Sequence, residues 1–494
     1  MTDSLDLNKE IVFGSSNPII SRKISQLLKQ GKLRKIAPKI YSTNLIDSPE
    51  SIVRRNLLGI LAWRYPHSII SHRSAKEMRP TSSGNIYLTN SKSRKITDLP
   101  GITLNFSAGP KASNGDIAFM GLYISGEYRY MLENMQQSRT KEPKTLPIDA
   151  IESKLEGILL NGGEQALNDY RDKLRDTSEL LEMDVEFQKI NKIISALLST
   201  HDSSALQTPS AKATAIGEPF DQSRVELFEI LFDHIKDRYF ISRINRNRDE
   251  ESFKLFSFFE SYFSNYIEGT EFEIDEAKQI VDSGIPVPRR DEDSHDILGT
   301  FKVLSNRAEM HKTPGSIDEL FGLLQHRHSI LLEGRPHMNP GIFKTINNRA
   351  GMTEFVDHHY VKGTLTQGFK YYSALHDPLA RAIFMMFMIS EVHPFLDGNG
   401  RIARVMMNAE LVHAEQSRII VPTVFREDYI LTLRKLTRHK DPAAFVDVMC
   451  KLHQFSDNLY GSDFAELKEY LAACNAYEDP SLAKLQMIDR TFST

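Results

Sequence analysis

Cysteine is nearly absent: the 494 residues hold two, Cys450 and Cys474. That excludes a disulfide scaffold and a zinc site built on cysteine alone. Long apolar runs are also missing. The longest, residues 382–389, spans eight positions, where a helix crossing a bilayer needs about twenty. The N-terminal string MTDSLDLNKE lacks the basic-then-apolar order of a secretory leader. No internal repeat is found. These absences predict a reduced, cytoplasmic chain without membrane segments. What is present is ordinary for a folded chain, with 40% hydrophobic and 26% charged residues, and the length suggests two to four domains.

The net charge of −4 hides an asymmetry. Residues 15–95 contain 16 Lys or Arg and three acids (Asp47, Glu50 and Glu77), so this segment is +13 and the remainder −17. A basic head on an acidic body points to a polyanionic partner; the plainer alternative is a solvated basic face.

Within the head, Asn17-Pro18 opens a helix carrying Ile20, Ile24, Leu27 and Leu28 at helical spacing, with Gly31 as its stop. Leu33, Ile36, Ile40 and Tyr41 then alternate around Pro38 like a β-wing. A helix over 49–65, a third starting at 71–76, and strands over 84–89, 102–106 and 116–124 follow. The strings GKLRKIAPKIYST and SIISHRSA resemble the winged-helix region of AbiEi-type antitoxins. That resemblance implies a DNA-binding domain over 1–100 that contacts duplex DNA through 15–95; a protein-interaction winged helix is the alternative. Residues 101–198 read as a mixed strand and helical region. Residues 199–222, rich in Ser, Thr, Ala and Pro, read as a linker.

Residues 393–404 run His-Pro-Phe-Leu-Asp-Gly-Asn-Gly-Arg-Ile-Ala-Arg. The segment before them, 378–390, is apolar nearly all round, so it is a buried helix delivering His393 to a loop. Gly398, Asn399 and Gly400 open a second helix, whose free amides and positive dipole end form an anion nest. Arg401 and Arg404, three apart, add cations beside it. Asp397 is a hard carboxylate suited to Mg²⁺, and His393 a base that works near neutral pH. Base, metal ligand, amide nest and arginines together describe phosphoryl or nucleotidyl transfer.

This string resembles the signature of Fic-domain proteins, HPFx[D/E]GNGRxxR, at all nine defined positions of twelve. The resemblance implies a protein adenylyltransferase that uses ATP and Mg²⁺. His393 would deprotonate a Ser, Thr or Tyr hydroxyl of a target protein, and Asp397 would hold Mg²⁺. Asn399 with Gly398 and Gly400 would cradle the α-phosphate. Arg401 and Arg404 would grip the β- and γ-phosphates, with Ile402 and Ala403 between them in the phosphate-binding run. A hairpin over 351–364 resembles the flap that aligns the target by strand addition. Its His358 and His359 read as exposed side chains, since no third ligand has metal-site spacing. Lys344 stands where the family's PGxxR segment has arginine. Tyr429 is either the ring against adenine or a core tyrosine, and Asn408 is a second candidate near the nucleotide.

Residues 253–268 carry Phe256, Phe259, Phe263 and Ile267 at helical spacing and are followed by Gly269. Ser264 to Gly269 resembles the Fic inhibitory motif [S/T]xxxE[G/N], placed ahead of the catalytic motif in the class II manner. The resemblance implies that Glu268 pairs with Arg404 and blocks the γ-phosphate position. Glu268 capping its own helix is the alternative. The fold expected is mainly α: a Fic all-α core over 223–454 with a β-hairpin flap, preceded by a winged-helix domain with additional strands and followed by a helical appendage over 455–494. A homodimer is also implied. Two further functions stay open: a nucleotide-sensing DNA-binding regulator, and removal of AMP dependent on Glu268.

Overall fold

The computed structural model describes residues 5–90, 95–138, 142–199, 203–350 and 353–490. Two compact units divide between residues 215 and 216. The first begins with β1 (Ile11–Phe13), α1 (Pro18–Lys29), β2 (Arg34–Ala37) and β3 (Ile40–Ser42). The three strands form an antiparallel sheet in the order β1-β3-β2. Asn17 caps α1 by accepting from the Ile19 amide at 2.9 Å, and Pro18 sits where its missing N–H costs nothing. Gly31 ends the helix at φ 66°, as its position predicts. Only Ile24 and Leu27 of α1 are buried. The helix therefore lies on the surface, with Arg22, Lys23 and Lys29 exposed and Lys35 and Lys39 exposed on the adjoining hairpin.

Next come α2 (Pro49–Arg55), α3 (Leu57–Arg64), β4 (Ile69–Ile70), α4 (Arg73–Glu77), β5 (Asn85–Asn90), β6 (Lys95–Leu99), β7 (Ile102–Ala108), β8 (Ile117–Phe119) and β9 (Leu122–Ile124). The helix expected over 49–65 breaks in two at Asn56. The strands form one mixed sheet in the order β6-β7-β5-β4-β9-β8. Strand β6 carries no legible pattern because it is an edge strand, buried only at Leu99. A boundary at residue 100 does not hold: β7 pairs along its length with β5 in parallel and with β6 in antiparallel register, so a cut there would split the sheet. Lys92 and Arg94 of the basic count lie outside the described residues.

Four helices complete the unit: α5 (Glu127–Glu133), α6 (Ile148–Leu181, kinked at Gly163), α7 (Asp184–Leu197) and α8 (Pro209–Ala215). The stretch expected as a linker over 199–222 is largely packed structure. Leu206 and Ala211 are buried in the same core as Leu155 and Ile194. The Glu152 carboxylate accepts from the Gln207 and Thr208 amides, each at 2.8 Å. Serine, threonine and alanine there serve caps and close packing.

The second unit is helical: α9 (Gln222–Ile235), α10 (Glu250–Ile267), α11 (Ile274–Ser283), α12 (Asp291–Leu304), α13 (Arg307–Met310) and α14 (Ile317–Leu331) precede a hairpin of β10 (Arg349–Ala350) and β11 (Thr353–Glu354). After it come α15 (Val361–Ser373), α16 (Pro378–Val392), α17 (Asn399–His413), α18 (Arg426–His439), α19 (Ala443–Ser456) and α20 (Phe464–Ala473). The mainly α expectation holds. The flap is shorter than the expected 351–364: the paired strands end at Glu354, and Val361 already begins α15. Its tip residues Gly351 and Met352 lie outside the described residues. Helix α16 is the central element. Asp377 caps it, Pro378 occupies its first turn, and every side chain from Ala382 to Val392 is buried. No helix among the described residues is long and apolar enough to cross a membrane.

Of the appendage expected over 455–494, the described part, to residue 490, packs on α10. The Phe464 ring stacks on Phe259 at 5.9 Å and meets Phe258 edge-on at 5.8 Å, while Tyr477 stacks on Phe263 at 5.5 Å. Lys468 pairs with Asp275 at 2.7 Å. Phe464 is half-buried, so Phe464→Ala should destabilise this unit by about 1–3 kcal/mol, below the full-burial range. A thermal melt unchanged by that substitution would show that the stack contributes nothing.

Candidate active site

Two left-handed residues shape the loop between α16 and α17. His393 ends α16 at φ 49°, and Gly398 begins α17 at φ 72°. The conformation is costly for a histidine and is held by its surroundings. The His393 amide donates to the Ile389 carbonyl at 2.9 Å, and its Nδ1 lies 2.7 Å from the Ser390 carbonyl. A carbonyl only accepts, so Nδ1 carries the proton and Nε2 keeps its lone pair. Burial pushes the imidazole down to about 4, so it is neutral at pH 7. The Phe355 ring, just after the flap, stacks on it at 3.4 Å.

The loop is stitched from both sides. Asn399 bonds the Phe395 backbone twice, accepting from its amide at 2.9 Å and donating to its carbonyl at 2.8 Å. His328 accepts from the Gly341 amide through Nδ1 and donates from Nε2 to the Asp397 carbonyl at 3.0 Å. Its ring stacks on Phe395 at 3.7 Å. Lys344 is buried; its amide donates to the Pro394 carbonyl and its ammonium to Asn348 at 2.8 Å. Burial, with no carboxylate in contact, lowers that ammonium to about 8. Lys344 thus braces the loop through its backbone and its ammonium.

The two arginines part company. Arg404 is 6% exposed and gives three bonds to α10 and its cap: Nε to Ser264 Oγ at 2.9 Å, and Nη2 to the Ser264 carbonyl at 2.8 Å and to Glu268 Oε1 at 2.7 Å. Glu268 ends α10, and Gly269 follows at φ 93°. Burial opposes the Glu268 charge, but Arg404 outweighs it and holds the carboxyl below its usual range. A Cβ at Gly400 would collide with Glu268 Oε1, so the carboxylate lies directly over the first turn of α17. Arg401 instead turns to α12, pairing with Asp296 at 2.8 Å with both side chains 3% exposed. Arg335 grips the other side of Asp296 at 2.7 Å.

A cavity of about 410 Å³ collects His393, Asp397, Gly398, Asn399, Gly400, Arg404, Glu268 and Tyr429. Arg401, Ile402 and Ala403 do not line it; the latter two are fully buried. Tyr429 borders the cavity but is 3% exposed, its hydroxyl on Met386 Sδ at 3.2 Å. Asn408 faces away, bonded to Glu260 and the Ile419 backbone. Asp397 is 38% exposed, and its Oδ2 lies 3.5 Å from Arg401. A half-open oxygen donor beside an amide nest fits a magnesium ion shared with phosphate oxygens. Sequence reasoning missed Asp296, His328 and Phe355, each joined to the motif only by the fold.

Residues 321–411 match the Fic/DOC family. The chain is 24% identical over 280 residues to protein adenylyltransferase Fic of Drosophila erecta, covering 53% of this chain and 52% of that protein. It is 25% identical over 211 residues to protein adenylyltransferase fic-1 of Caenorhabditis elegans, covering 41% and 39%. The chain thus spans about half the length, or less, of these relatives. Among solved structures, C. elegans Fic-1 aligns at 19% identity over 67% of this chain and 94% of that one, with a TM-score of 0.35.

His393, His328 and His453 are each pushed down to about 4 by burial. A histidine held neutral in the fold contributes stability that is complete above its unfolded value near 6.5 and is lost as pH falls toward 4. The melting midpoint should therefore fall steeply between pH 6.5 and 4. A flat midpoint across that window would mean that these rings already accept protons in the folded chain.

Proposed function

We propose that the chain is a protein adenylyltransferase that moves AMP from ATP to a Ser, Thr or Tyr hydroxyl of a target protein, restrained by Glu268. The observation that carries this reading is one cavity holding a neutral imidazole, a free-facing carboxylate, a helix N-terminus and a buried guanidinium. The Nε2 of His393 takes the proton of the target hydroxyl. The hydroxyl oxygen attacks the α-phosphorus, the bond to the bridging oxygen breaks, and pyrophosphate leaves. The amides at Gly398 to Gly400 meet charge growing on the α-phosphate oxygens. Asp397 would hold Mg²⁺, which supplies charge neutralisation on the phosphates. Arg404 is the cation for the terminal phosphate, and Glu268 occupies it. The restraint is electrostatic and steric together, since the carboxylate brings its own negative charge to the nest. Arg401, paired with Asp296, is assigned to holding α17 against α12.

Incubation with labelled ATP tests the reading. Glu268→Gly should raise auto-AMP transfer by roughly ten- to a thousandfold, the yield of a few kcal/mol at a group used in the transition state. Adding Arg404→Ala should remove that gain, and His393→Ala should lower transfer by about 10²–10⁴-fold. A double variant as active as Glu268→Gly alone would show that Arg404 is not the contested group.

For the first unit we propose binding to duplex DNA, supported by the exposed Arg22, Lys23 and Lys29 of α1 beside the exposed Lys35 and Lys39. If about six phosphates are neutralised, affinity should fall with salt at a log–log slope near −5. Absence of any mobility shift at low salt would leave this face to a protein partner.

A further inference from the structure

Two adjacent histidines, His358 and His359, follow the flap and are directly preceded by Asp357. The fold turns their ligand atoms toward one another. Asp357 Oδ1 lies 2.9 Å from His359 Nδ1 and 3.4 Å from His358 Nδ1. His358 Nδ1 is in turn 2.9 Å from Asn347 Oδ1. The ligand atoms of Asp357, His358 and His359 all lie within 4.8 Å of one another.

We propose that Asp357, His358 and His359 bind one divalent transition-metal ion of the zinc kind, with the Asn347 amide oxygen beside the fourth position, at the root of the flap. The spacing argues for it. Ligands about 2.0–2.1 Å from a tetrahedral zinc ion stand about 3.3 Å apart. The Asp357–His358 separation meets that value, and the Asp357–His359 and His358–Asn347 separations must open by only a few tenths of an ångström. The two rings lie tilted by 37° with centroids 3.8 Å apart, and each Nδ1 atom lies within 3.4 Å of the same carboxylate oxygen. For an ion to enter, each ring proton moves from Nδ1 to Nε2.

The donors suit the ion chemically. One carboxylate oxygen and two imidazole nitrogens are donor types that zinc takes. A cleft of about 540 Å³, lined by both histidines with Lys344, Lys362 and Glu218, gives water and metal a way in. Lys344 and Lys362 oppose a cation there, and Asp357 and Glu218 favour one. Lys344, lowered to about 8, is the softer of the opposing charges because it can release its proton.

The location gives the site a task. Asn347 precedes β10 and Asp357 follows β11, so the two already tie the legs of the hairpin through Asn347 Nδ2 and Asp357 Oδ2 at 2.7 Å. The His358 amide adds a bond to Asn347 Oδ1 at 2.9 Å. A metal ion replaces this tie with stronger bonds and fixes the flap, which carries Phe355 onto His393. The inference rests on these donors alone and stands whether or not the chain transfers AMP.

The test is titration of the metal-stripped full chain with zinc chloride at pH 7.5, followed by calorimetry. One equivalent should bind at micromolar affinity or tighter. The double substitution His358→Ala with His359→Ala should weaken that equivalent about a hundredfold or more, while His337→Ala, an exposed ring elsewhere, should leave it unchanged. Asp357→Asn, which keeps the polar contacts and removes the charge, should weaken it about ten- to a hundredfold. Thermal melts confirm that each variant folds. In the wild type, zinc should slow hydrogen exchange across residues 347–360. Absence of a tight equivalent, or an equivalent that survives the double substitution, overturns the proposal.

Discussion

A guanidinium buried at the start of a helix cannot be left without anions or carbonyls around it, and the second unit is arranged to satisfy that demand. Arg404 is answered by Ser264, by the backbone at the end of α10, and by Glu268. Because those partners cluster in the last turn of α10, the helix must end where it does, and Gly269 turns the chain away in a left-handed conformation. Helix α10 in turn is locked inward by Glu260, which bonds Asn408 of α17 and Arg418. One buried cation thus fixes the register of α10 against α17.

Helix α16 imposes the complementary constraint. A helix with no solvent-facing side over its last three turns has one position in the core, so His393 emerges at one place. The strain of its left-handed backbone is maintained by packing on every side: Ser390 below, Phe355 above, Lys344 and His328 bracing the loop through Pro394 and Asp397. Packing of this kind leaves the imidazole neutral and fixed in place before anything binds.

Much of this was legible in the chain. The all-apolar run before His393, the Gly-Asn-Gly opening, the serine–glutamate spacing ahead of Gly269 and the cap at Asn17 each produced the local structure they predict. What sequence could not give was direction. Arg401 and Arg404 are three residues apart, which on a helix separates them by about 60° around the axis. That angle sends one to Asp296 on α12 and the other to Glu268. Asn399 likewise reads as a phosphate contact, yet both atoms of its amide are spent on Phe395. The composition of 199–222 suggested a linker because small polar residues serve caps and tight packing as well as flexibility. Strand β6, open on both faces, offered no period to read.

The aromatic seal on the outer side of α10 has a consequence for how the molecule can be divided. The match to the Fic/DOC family model covers residues 321–411, far before Phe464 and Tyr477. A fragment cut at that border would bare the rings of Phe258, Phe259 and Phe263 along one helix. Such a stripe seeks other apolar surface, including a second fragment, and self-association would follow. The smallest soluble form of the second unit is therefore set by ring stacking at its far end, with α20 and Tyr477 serving as a solubilising cover.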